Sequence, residues 1–177
     1  MSDAAQAFLD ESRRLLRSDY LPKIERCLEA LTEEDVWWRP NEESNSIGNL
    51  LLHLAGNVRQ WIVSGVGGAD DVRRRQQEFD ERAPVPVEAL RAQLRATLEE
   101  ADAVLARLDP AGLLEARHIQ GGVVSVFGAI YHVVEHFGMH TGQIIYVTKM
   151  RQGADMGFYD LSDGTVRTRW HTPRRSE

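Results

Sequence analysis

The chain has one cysteine, Cys27. No disulfide can close within it, and a cysteine-rich zinc site is excluded. A lone thiol fits a reducing compartment, so a cytoplasmic location is expected. The chain also lacks a long basic run, and its formal net charge is -6. It therefore offers no footprint for a phosphate backbone, and no nucleic-acid partner is expected. The densest basic spot is Arg73-Arg74-Arg75, with Glu78, Asp80 and Glu81 just after it, and it reads as a solvated face. No stretch approaches the ~18 apolar residues of a spanning helix, so no membrane partner is expected. The opening MSDAAQAFLDESRRLL carries acids and no apolar core of the secretory kind.

What is present is ordinary globular material. Apolar residues make up 42% and charged residues 27% of 177 positions, enough for one domain with its own core. The expectation is a single domain over 1–177, with 155–177 as a tail. Four segments carry helical periodicity. The first runs from about Ala4 to Leu31, with Pro22 placed to kink or split it. A loop follows over Thr32 to Ser46, with a short turn at Glu33 to Trp37. The second helix starts near Ser46, with Ser44, Asn45 and Ser46 as cap candidates, and stops at the glycines from Gly65. The third covers about Val87 to Leu108. Residues 113–121 read as extended, and the fourth helix spans roughly Val123 to Arg151. Ser162-Asp163-Gly164, between alternating flanks, reads as a hairpin turn, and the final TPRRSE should fray. Four amphipathic helices of this length argue for an all-α four-helix bundle with a short C-terminal hairpin or extended tail.

The fourth segment holds HVVEHFGMHTGQ, with His132, His136 and His140 at steps of four. Each step advances about 40° around a helix, so the three stay on one side. His140 falls inside the apolar stripe, His136 at its edge, His132 furthest out. Residues eight apart are about 12 Å apart along the axis. With metal–nitrogen bonds of about 2.1 Å, His132 and His140 cannot share an ion. Neighbours four apart can, so the pair is 132/136 or 136/140, and a third ligand must come from elsewhere. His53, in SIGNLLLHLAGN on the second helix, is the natural donor. It stands in a polar strip with Asn49, Asn57 and Gln60, beside the core stripe. Such a strip is the wall of a site or a plain surface edge. Three neutral imidazoles leave open positions on an ion, and they suit Zn, Ni, Cu or Fe better than Mg or Ca.

The stretches SIGNLLLHLAGN at 46–57, HVVEHFGMHTGQIIY at 132–146 and the preceding WWRPNEESNS resemble the DinB-like (DinB/YfiT) superfamily across nearly the whole chain. The resemblance implies an up-down-down-up bundle and a divalent ion, Zn or Ni, on His53, His136 and His140. The family often follows its last ligand with Arg-Gly-Gln, where this chain has Thr141-Gly142-Gln143. His132 matches an additional histidine that is usually not a ligand. Characterised relatives include transferases and isomerases that use low-molecular-weight thiols, and metal-dependent hydrolases; dimers are common.

The leading expectation is a metal-dependent enzyme acting on a small molecule, with a low-molecular-weight thiol as cosubstrate in an S-transfer. Its rivals are a metal-dependent hydrolase, a non-catalytic metal-binding bundle, and an interaction protein whose histidines line a homodimer seam. His132, Asn57 and Gln143 are candidates to orient a ligand or touch substrate. Glu135 points away from His136 and His140. Cys27 sits on a buried stripe and reads as packing, and of Trp37, Trp38 and Tyr159 at least one tryptophan should pack in the core.

Overall fold

A computed structural model describes residues 2–171, with side chains from Ala4 onward; the fraying expected of TPRRSE lies outside them. Helix α1 covers residues 2–28. It is α-helical over Ser2–Arg14, widens to π geometry over Leu15–Tyr20, and resumes over Leu21–Leu28. Pro22 sits in the first turn of that last segment, so the expected break takes the form of a widened turn and the helix continues through it. Pro22 cannot donate to the carbonyl of Ser18, which accepts from the Trp170 indole at 3.3 Å.

Helix α2 (Glu33–Trp37) starts at a capping box in which Thr32 and Asp35 satisfy each other's backbone donors. Helix α3 covers residues 47–66, α-helical over Ile47–Val58 and π-helical over Arg59–Val66. Of the three cap candidates, Ser46 is the cap, boxed with Asn49. Helix α4 (Arg75–Asp80) lies within the charged connection that the sequence assigned no element. Helix α5 (Val87–Leu105) ends three residues before the expected Leu108, and a 3-10 turn follows at Pro110–Leu114.

The start of the fourth long helix is a correction. Val123 and Val124 belong to a strand, β2 (Gly122–Ser125), paired antiparallel with β1 (Ala116–Ile119). Gln120 and Gly121, at φ of 52° and 80°, form the two-residue turn between them. Positive φ at both central positions matches the twist of the flanking strands, and β-branched valines favour the extended partner. Helix α6 therefore begins at Val126, capped by Ser125, and runs to Gln152, where Gly153 closes it in the left-handed conformation. The tail forms the hairpin read from Ser162-Asp163-Gly164: β3 (Tyr159–Asp160) pairs with β4 (Arg167–Thr168).

The fold is mostly helical, with two small antiparallel sheets. One buried apolar cluster draws on all four long helices, including Ile24 of α1, Leu54 of α3, Leu98 of α5 and Phe137 of α6. Burial of such side chains contributes roughly 1.5–3 kcal/mol each. Trp37 packs against this cluster and donates its indole N–H to the carbonyl of Val85 at 3.1 Å. No described helix is long and apolar enough to cross a membrane.

Candidate metal centre

Packing of α3 against α6 brings three imidazoles together. His53 Nε2 lies 3.0 Å from His136 Nε2, and His140 Nε2 lies 3.1 Å from the same atom. The ligand atoms available on His53, His136 and His140 all fall within 4.8 Å of one another. His53 and His140 are buried. These three side chains can hold a metal ion.

The outer nitrogens of two of them are held. His140 Nδ1 lies 2.6 Å from Oε1 of Gln143, one turn along the same helix. His53 Nδ1 lies 2.9 Å from Oε2 of Glu78, which α4 supplies. The third outer nitrogen, Nδ1 of His136, is buried with no hydrogen-bond partner among the described residues. A Gln carbonyl and a carboxylate accept but cannot donate, so Gln143 and Glu78 place the lone pairs of His140 and His53 on Nε2. Lone pairs that converge on one point suit a cation.

The electrostatics favour the neutral form of His136 and His140. Burial, reinforced by the neighbouring imidazoles of His140, His53 and His132, pushes His136 down to about 3. Burial also lowers His140, against a raising contribution from its bond to Gln143. Neutral imidazole is the form that binds a metal. Burial works to raise Glu78, but hydrogen bonds from Arg73 and His53 outweigh it and hold its carboxyl below the ordinary range.

The remaining candidates divide. His132 stands apart from the trio: its ring lies 4.1 Å from that of Trp61, and Nδ2 of Asn57 approaches its Nε2 at 3.3 Å. Its ring is still 5.4 Å from that of His136, and burial lowers its proton affinity. Asn57 is buried, and its Oδ1 has no hydrogen-bond partner among the described residues. Glu135 is exposed, as its position on the helix requires.

Two site residues were misread in the sequence. Arg73 and Glu78 are a buried pair, their side chains 4% and 11% exposed, joined at 2.7 Å, and not a solvated face. The polar strip of α3 is the rail on which their segment docks. Asn49 donates to the carbonyls of Glu78 and Glu81 at 2.8 and 3.1 Å. Gln60 donates to Asp71 at 2.8 Å and accepts from Arg73 at 2.9 Å. The signal available was that strip: Asn49, His53 and Gln60 fall on one face, and a face of that kind asks for a polar partner. A cleft of 360 Å³ lies beside this segment, bounded by Arg59, Gln60, Arg73, Glu78 and Gln93, and the histidines do not line it.

A family profile described as a protein of unknown function, DUF1572, matches residues 3–165. The chain belongs to that family. A search of solved structures finds a crystal structure of a DinB-like protein from Bacillus cereus ATCC 10987, with a TM-score of 0.58 and 16% identity over 77% of this chain and 88% of that one. At that identity the likeness establishes a shared fold, and the fold of this family member is DinB-like. Comparison with curated proteins finds no significant match.

Proposed function

We propose that this DUF1572 chain is a metal-dependent enzyme, its divalent ion held by Nε2 of His53, His136 and His140. The observation that carries the proposal is the convergence of the three Nε2 atoms. The donor set fits the group: three imidazoles, two with their lone pairs turned inward by Glu78 and Gln143. Imidazole ligation suits Zn, Ni, Cu or Fe, of which we take Zn or Ni, and three protein ligands leave a position open for an exchangeable molecule. A bound ion would supply Lewis acidity toward that molecule.

The cosubstrate we infer is a low-molecular-weight thiol, which makes the reaction an S-transfer to a small electrophile. Hydrolysis is the weaker reading because it wants a free general base beside the ion, and the nearby carboxylates do not offer one. Glu78 is committed to Arg73 and His53, and Glu135 faces solvent. A purely structural metal is weaker too, since a fourth protein ligand would mark it and His132 is engaged with Asn57 and Trp61. The polar neighbourhood of His132 and Asn57 is the inferred wall for substrate. Elemental analysis of untagged protein tests the core of this: about one Zn or Ni per chain is expected, lost in His53→Ala and His136→Ala. Protein that takes up no ion when supplied with one would overturn it.

We further infer that the four long helices follow the up-down-down-up order within one domain, in a cytoplasmic homodimer. The exposed face of α6 supports the dimer, for it shows Tyr131, Met139, Tyr146 and Met150 to solvent. Light scattering on the eluting protein should give twice the chain mass, and a monomer would remove that part.

A further inference from the structure

Glu78 reaches His53 from outside α3, and four independent features hold it there. Its carboxylate takes both nitrogens of one Arg73 edge, Nε at 2.7 Å and Nη2 at 2.8 Å. Arg73 is itself fixed by Gln60, and Gln60 by Asp71. The backbone of the Glu78 segment is pinned to Asn49. Finally, α3 has a glycine where the carboxylate crosses it. A Cβ at Gly56 would stand 2.0 Å from Oε1 of Glu78 and 3.0 Å from Nε of Arg73.

Nδ1 of His53 has two neighbours, Oε2 of Glu78 at 2.9 Å and Nη2 of Arg73 at 3.2 Å. Only one can be its partner. A bare Nδ1 would accept from Arg73 but would set its lone pair against a carboxylate oxygen at the shorter distance. Arg73 Nη2 already donates to that same oxygen. Nδ1 therefore carries the proton and donates it to Glu78. The proton is then excluded from Nε2, the atom turned toward His136.

We infer that Glu78, held by Arg73 in the space left by Gly56, is a positioning residue that fixes the tautomer and ring orientation of His53 for a metal ion. The inference rests on the proposed metal site and names what prepares it. Partners of this kind typically change metal affinity 10–100-fold. The Arg73 guanidinium does not undo the arrangement, because it is paired with the same carboxylate, which offsets its charge beside His53.

The test uses the full chain and zinc alone. Long-range proton–nitrogen spectra of labelled, metal-free protein should show His53 protonated on Nδ1, with His53→Gln giving the assignment. Zinc affinity, measured by chelator competition, should fall about 10-fold or more in Glu78→Ala and in Gly56→Ala, with one ion still bound at saturation. Gly56→Ala guards against misfolding, because it removes no polar group and only displaces the carboxylate. Affinities of both variants within twofold of the parent, or a His53 proton on Nε2, would overturn the inference. Should the parent bind no zinc, the metal reading falls alone, and the His53 tautomer still decides for or against Glu78.

Discussion

His140 and His53 meet the same need by different routes. Each has its outer nitrogen against a hydrogen-bond acceptor, at 2.6 Å and 2.9 Å. For His140 the acceptor is Gln143, three residues on, so one turn of α6 supplies both the ligand and its partner. For His53 the acceptor is Glu78, 25 residues away, on a segment that must first dock along α3 through Asn49, Gln60 and Arg73. His136, between them, finds neither kind of support among the described residues. A partner supplied by the helix itself survives as long as the helix does. A partner supplied by a docked strap carries the burial of an ion pair with it, and fails when any link of the strap fails.

The comparison can be broken most severely at the ligands. His140→Ala should abolish zinc binding, read by elemental analysis after dialysis; stoichiometric zinc in that variant would remove it from the set. The next largest effect is on the strap. Arg73→Met leaves Glu78 buried without its cation, so the urea unfolding free energy should drop by about 3 kcal/mol. A loss below about 1 kcal/mol would mean that water reaches the pair. Gln143→Ala should weaken zinc binding by roughly tenfold, near the lower limit for such partners, with little change in stability because Gln143 is exposed.

Acid should sharpen the role of His136. Its proton affinity in the fold corresponds to about 3, against about 6.5 in an unfolded chain. Below pH 6.5 the unfolded chain gains a proton that the folded one refuses until about pH 3. The stability it contributes is thus fully present above pH 6.5 and is lost as pH falls through that window. His132 and His140 shift in the same direction. The urea midpoint of the metal-free protein should therefore be lower at pH 5 than at pH 7, with a smaller drop in His136→Gln. Equal drops in the two proteins would assign the effect to other groups. The smallest effect is expected at His132→Ala, with zinc affinity within about threefold of the parent, since its ring is spent on Trp61 and Asn57.

What the sequence by itself determined was local. Helical periodicity located the four long helices, Ser46 and the terminal glycines punctuated them, and the step of four on α6 set His136 beside His140. Each depends on residues within one or two turns, where backbone geometry is nearly fixed. The misread places have the opposite character. Val123 and Val124 continue a helical apolar pattern, yet pairing with His118 and Arg117 makes them a strand. The Arg73-Arg74-Arg75 run looks like solvated charge, and two of those arginines are not buried. Only the Arg73 side chain is drawn in, 4% exposed, because α3 presents Gln60, Gly56 and His53 at the spacing its guanidinium and Glu78 require. Only the tertiary structure could decide that, since a charge is stable inside a protein only where a specific counter-charge and hydrogen-bond partners replace its water, and these come from residues distant in the chain.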